Sequence, residues 1–151
     1  MPLIEEKNIT VNRKATHDYF IKQTYEAGIS LVGTEVKSCR QNKANLTDSY
    51  ATIRGGEVIL LNCNISTFDQ GSMNNHDPVR ERRLLLNKSE IKKISRATND
   101  KGATLIPLRL YFKGQKVKIE LGIAFGKKSY DKREDIATRE IKREIARKLK
   151  R

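Results

Sequence analysis

Leu108-Arg109-Leu110-Tyr111-Phe112, a break at Gly114, then Val117-Lys118-Ile119-Glu120-Leu121-Gly122-Ile123-Ala124-Phe125 is the stretch that decides the fold. In the first run Leu108, Leu110 and Phe112 alternate with Arg109 and Tyr111. In the second, Val117, Ile119, Leu121, Ile123 and Phe125 alternate with Lys118, Glu120, Gly122 and Ala124. A period of two puts each apolar set on one face, so the stretch reads as two antiparallel strands joined at Gly114. Pro107 has no N–H for a ladder and belongs at a strand start or a bulge.

Working outward, the same signals recur. Residues 88–97 read as a helix capped by Asn87, with Glu90 in the reciprocal position of a capping box. Residues 66–78 are a polar loop. Residues 48–54 and 57–65 flank Gly55-Gly56, which suits a two-residue primed turn, and Ile59, Leu61, Cys63 and Ile65 are expected to face inward. Tyr19, Ile21 and Tyr25 alternate with Phe20, Lys22 and Thr24. A turn follows at Ala27-Gly28, then a second strand from Ile29. Thr34 is expected to cap a short helix with Glu35 in its first turn. About six short antiparallel strands with two helices predict a mainly β chain. An OB-like six-stranded antiparallel barrel with flanking helices is the first choice and a sandwich the second. The expected organisation is a flexible arm over residues 1–13, the barrel over 14–126, and a basic helical tail over 127–151.

Charge narrows the partners. The chain has 151 residues, 31 Lys/Arg against 18 Asp/Glu and a net charge of +13. From Gly126 onward there are 11 Lys/Arg and 5 Asp/Glu, a net of +6. Ala137, Ile141, Ile145 and Leu149 give the tail one narrow apolar stripe. Either it is frayed until a partner orders it, or it packs this stripe back on the barrel. A basic extension on a small body fits a polyanion, and nucleic acid is favoured over membrane because no apolar run is long enough to span. The N-terminus lacks the apolar region of a signal peptide, so a cytoplasmic protein is expected. A monomer is the simplest reading.

Catalytic chemistry finds little support. His17 and His76 are the only histidines, and each sits beside an Asp in a local pair rather than at metal-ligand spacing. Gly55-Gly56 lacks the Lys-Ser/Thr of a phosphate-binding loop. Cys39 and Cys63 read as buried small hydrophobes. No cofactor, metal or catalytic residue is expected.

Basic residues instead cluster at Lys37, Arg40 and Lys43, at Arg80, Arg82 and Arg83, and in the tail. Such clusters give salt-dependent affinity for phosphates without sequence information. Three residues are ambiguous from pattern alone. Glu35 either accepts from a base edge or only stabilises a helix start. Asn87 is a cap or a base contact. Leu85 is core or an apolar surface for an exposed base.

Gly33-Thr34-Glu35-Val36-Lys37-Ser38 and Lys43-Ala44-Asn45-Leu46-Thr47-Asp48-Ser49-Tyr50 closely resemble the family of small protein B, the tmRNA (SsrA RNA)-binding protein of bacterial trans-translation. So do His76-Asp77-Pro78 with the run from Arg80 to Asn87, and Gly126-Lys127-Lys128 with Tyr130-Asp131-Lys132-Arg133. The resemblance implies an OB-like barrel that binds the tRNA-like domain of tmRNA and stands in for its missing anticodon stem. It favours the functional reading of Glu35, Leu85 and Asn87. Candidate RNA contacts are then Glu35, Lys37, Arg40, Lys43, Asn45, Arg83, Leu85 and Asn87. It also implies that the tail meets small-subunit rRNA of a stalled ribosome. Lys127, Lys128, Tyr130, Asp131, Lys132 and Arg133 are expected near the decoding centre. Arg139, Lys142, Arg143, Arg147 and Lys148 are expected along the vacant mRNA channel.

Overall fold

The strand pair read from the sequence is the frame of the structure, as β8 (Ala103–Lys113) and β9 (Lys116–Gly126). A computed structural model describes residues 5–68 and 75–127 of the chain. Leu110, Ile119, Leu121 and Ile123 are buried in the main core. The register shifts between Pro107 and Arg109, so the proline does lie at a bulge. Ile106, Leu108 and Ala124 bury on the opposite face with Ala15 of α1 (Arg13–Asp18). This pair is therefore covered on both sides.

The remaining strands are β1 (Glu6–Val11), β2 (Tyr19–Ile29), β3 (Ala44–Asn45), β4 (Tyr50–Arg54), β5 (Glu57–Leu61), β6 (Asn64–Ile65) and β7 (Arg82–Leu85). Every pairing is antiparallel. The order β8-β4-β5-β7-β2-β9, closed by β9 on β8, makes a ring of six strands, in agreement with the expected OB-like barrel. Two longer helices, α2 (Gly33–Arg40) and α3 (Lys88–Thr98), flank it. Gly55 and Gly56 have φ of +60° and +78°, as a primed hairpin turn requires.

Several expectations change. Residues 6–11 are not an arm. They pair with β8 along the edge that β4 leaves open, and Ile9 enters the core. Asn12 fixes the following corner: buried, it donates to the carbonyls of Leu46 (3.2 Å) and Pro107 (2.9 Å) while its oxygen caps α1. The strand from Tyr19 does not turn at Ala27-Gly28 but runs unbroken to Ile29, because Gly28 is paired on both edges, with Leu85 and Lys118. Helix α2 begins at Gly33 with Val32, not Thr34, at the cap. In β5 Val58 and Leu60 face inward, rather than Ile59 and Leu61. Asn62, at φ +60°, resets the phase, so Cys63 and Ile65 point inward as expected. Helix α3 is capped by Asn87, whose N–H donates to Glu90 at 3.3 Å.

Replacing Ile9 by Ala removes a core side chain and is expected to cost about 2–4 kcal/mol. Urea unfolding checks this. A change under about 0.5 kcal/mol is what a flexible arm would give.

Candidate nucleic-acid interface

Arg82 sits at an inward position of β7 with no exposed side-chain surface. A buried guanidinium is tolerated only when its donors are all used. Its Nε donates to Glu35 Oε2 at 2.6 Å, Nη1 to the carbonyls of Cys63 and Arg80, and Nη2 to the Pro78 carbonyl and Glu35. Glu35 is equally buried and accepts from the Val32 N–H at 2.9 Å. Arg80 donates to the same carboxylate and reaches the Ser30 carbonyl. One carboxylate and two guanidinia thus tie the start of α2 to the end of β2, to β7 and to the chain at Cys63 and at Pro78–Arg80.

Burial works to raise the Glu35 pKa, and the hydrogen bonds from Arg80 and Val32 with the charge of Arg82 overcome it, so its carboxyl titrates below the ordinary 4.5. No part of the Glu35 side chain reaches solvent, unlike the surface contact the resemblance implies. Its helix-start role is the one the geometry supports. His76 reinforces the same junction. Its Nε2 donates to the Ile65 carbonyl at 2.8 Å, and Nδ1 shares a hydrogen bond with the Thr34 hydroxyl. Ser38 donates to the Ser66 carbonyl at 2.7 Å. Cys39 and Cys63 are buried free thiols, with pKa values that burial pushes up to about 12 and about 11. Such thiols are inert as nucleophiles.

Around this junction most of the sequence candidates reach the surface. Lys37 and Arg40 are exposed on α2, with the Lys37 ammonium 5.4 Å from the Phe68 ring. Lys43 and Asn45 follow α2, both exposed. Asn45 also accepts from the Thr47 N–H in a local turn. On β7 the inward Arg82 and Leu84 alternate with the outward Arg83 and Leu85. Arg83 pairs with Glu57 at 3.2 Å across the surface. Leu85 is 48% exposed, and Asn87 is exposed just beyond it.

A lone exposed leucine is ordinary. What distinguishes this one is its surroundings. Leu85 lies opposite Gly28, where an added Cβ would come within 3.2 Å of the leucine Cβ. Glu26, two residues earlier on the same face of β2, is the position that continuation of this register would set opposite Asn87. Glu26 is not among the residues picked from the sequence, because a turn at Ala27-Gly28 would not set it beside β7. Tyr111 Oη donates to Glu26 Oε2 at 2.5 Å, and Lys113 Nζ lies 3.2 Å from Oε1. The Tyr111 bond outweighs burial and, with Lys113, holds the Glu26 pKa below its ordinary value. The surface at the β2–β7 seam thus combines an ionised carboxylate, an apolar side chain, an amide and a guanidinium. Of the tail candidates only Lys127 falls within the described residues, and it is exposed. Lys128, Tyr130, Asp131, Lys132, Arg133, Arg139, Lys142, Arg143, Arg147 and Lys148 lie outside them.

Among the described residues no group of three His, Cys, Asp or Glu is placed to hold a metal ion. No helix among them is long and apolar enough to cross a membrane.

Glu35→Gln leaves two guanidinia without their counter-charge and is expected to cost about 3–5 kcal/mol. A lowered folded-state pKa stabilises above the unfolded value, near 4.5, and that stabilisation fades as pH falls through the folded value. The stability gap between wild type and variant should therefore be full at pH 7 and shrink in acid. Thermal unfolding across pH 3–7 checks it, and a pH-independent gap contradicts it.

Residues 9–151 match the family model described as SmpB protein. The chain is 57% identical over 147 residues to a Symbiobacterium thermophilum protein named SsrA-binding protein, covering 97% of this chain and 93% of the relative. A protein of the same name from Acetivibrio thermocellus is 58% identical, covering 97% and 96%. A solved structure described as "tmRNA-SmpB: a journey to the center of the bacterial ribosome" matches with a TM-score of 0.67 and 47% identity, over 78% of this chain and 83% of that one. The chain belongs to the SmpB family.

Proposed function

We propose that this protein binds tmRNA (SsrA RNA) in the cytoplasm and carries it to stalled ribosomes for trans-translation, as a binding factor rather than an enzyme. The observation that carries this reading is the β2–β7 seam, where Leu85 stands half exposed between Arg83, Asn87 and Glu26. Such a surface offers an apolar platform for an unstacked base and polar groups for base edges, which is how single-stranded loops of RNA are recognised. The names of the relatives, and the tmRNA and ribosome context of the matching structure, support the same choice.

Glu26 takes over the RNA-contact role that the resemblance implied for Glu35. It is ionised, reachable and fixed by Tyr111, so it can accept from amines of a base edge. Lys37, Arg40, Lys43 and Arg83 supply phosphate contacts, and Asn45 flanks them. The tail from Lys127 acts separately: Lys127 to Arg133 at the decoding centre, and the basic residues beyond, including Arg139 and Lys148, along the vacant mRNA channel. A filled channel would exclude it sterically.

Binding measured across salt concentrations, on a tRNA-like RNA with a shortened D-arm and on a scrambled control, tests this. The full chain and a version ending at Lys128 should both prefer the tRNA-like RNA. Leu85→Ala should weaken that RNA about tenfold, in line with about 1–3 kcal/mol per stacked base, and leave the control unchanged. Arg83→Gln should reduce the salt slope by about 0.9 on both RNAs. Preference that disappears with the tail would mark a general RNA-binding protein instead.

A further inference from the structure

Strand β2 is paired with β9 from Tyr19 to Gly28, but on its other edge β7 meets it only at Gly28 and Ile29. Among the described residues, positions 21–26 of that edge have no neighbouring strand. An open edge presents unpaired N–H and C=O groups. Helix α3 flanks this opening, and a cleft of about 500 Å³ separates the two, within the range of built ligand sites.

The cleft is basic and aromatic. Lys22, Lys93 and Arg96 line it with Tyr25 and Phe125, and Asp100 is its one carboxylate. All three cations are exposed, and none has an ion-pair partner among the described residues. Lys22 is there by construction. The register of β2 on β9 slips between Ile21 and Gln23, which makes Lys22 the extra residue of a bulge. Bulges re-aim side chains and cluster at functional edges. The site is distinct from the Leu85 seam because Tyr25 lies on the face of β2 turned toward the core, whereas Glu26 alternates onto the outer face with Gly28 and Leu85.

We propose that this cleft is a second RNA-binding site, which takes an unpaired stretch of RNA with a base against Tyr25 and its phosphates on Lys22, Lys93 and Arg96. Charge selects the occupant. An open strand edge also suits an added peptide strand, but three unpaired cations against one carboxylate favour the phosphodiester chain. With one RNA at the Leu85 seam and another in this cleft, the barrel joins two RNA segments through a single strand.

The test uses the full chain, an octauridine carrying 4-thiouridine, and the variant Lys93→Gln/Arg96→Gln. Irradiation followed by peptide mapping should place cross-links at Tyr25 or its strand neighbours in wild type. Yield there should fall at least tenfold in the variant, with a salt slope for octauridine lower by about 1.4, two lost single-strand contacts. Unchanged affinity of the variant for the tRNA-like RNA shows that the fold and the first site survive. Retained cross-linking at β2 in the variant, or cross-links confined to residues 127–151, overturns the proposal. So does protection of the β2 edge by an acidic octapeptide but not by octauridine.

Discussion

The buried Glu35–Arg80–Arg82 cluster is the constraint on which the functional surface depends. One carboxylate inside the protein is affordable only because two guanidinia and a backbone N–H saturate it. In exchange, three stretches of chain distant in sequence acquire one relative position: the β2–α2 junction, Cys63, and the run from Pro78 into β7. Leu85 and Arg83 are outward on the strand whose inward side carries Arg82. The ion cluster therefore aims the outward side chains of β7 that we propose meet RNA. Apolar residues of the same volume could hold these elements together, but without the directionality of five guanidinium donors.

How much of this was legible in the sequence depends on whether a residue's neighbours are local. The β8–β9 pair was readable because each strand carries its own alternation of apolar and polar residues. Asn87 and Glu90 were readable because a helix cap is a contact across three residues. Strand β1 was not, since Glu6–Val11 offers little beyond Ile9 and borrows its order from β8. The inverted phase of β5 was hidden in the left-handed conformation of Asn62. Most telling is β7. Its inward arginine looks like surface charge until a carboxylate 47 residues away is known to meet it.

The candidate site shows the same divide. Leu85, Arg83 and Asn87 were identified on a short run of chain, and all are exposed there. Glu35 was in the right motif but on the wrong side of the surface. The carboxylate that does face outward, Glu26, was missed because Ala27-Gly28 reads as a turn. Only the ladders on both edges of Gly28 show that the strand continues. A glycine at that position leaves room beside Leu85, so the residue that misled the strand assignment also opens the surface.

The central claim is that the barrel itself reads RNA through the β2–β7 seam. Methyl-labelled leucine NMR of the full chain bound to the tRNA-like RNA tests it most directly. The account predicts intermolecular contacts from the Leu85 methyl groups to RNA protons, with none from the adjacent buried Leu84. A saturated complex in which Leu85 shows no such contact, while the basic tail alone responds, would contradict it.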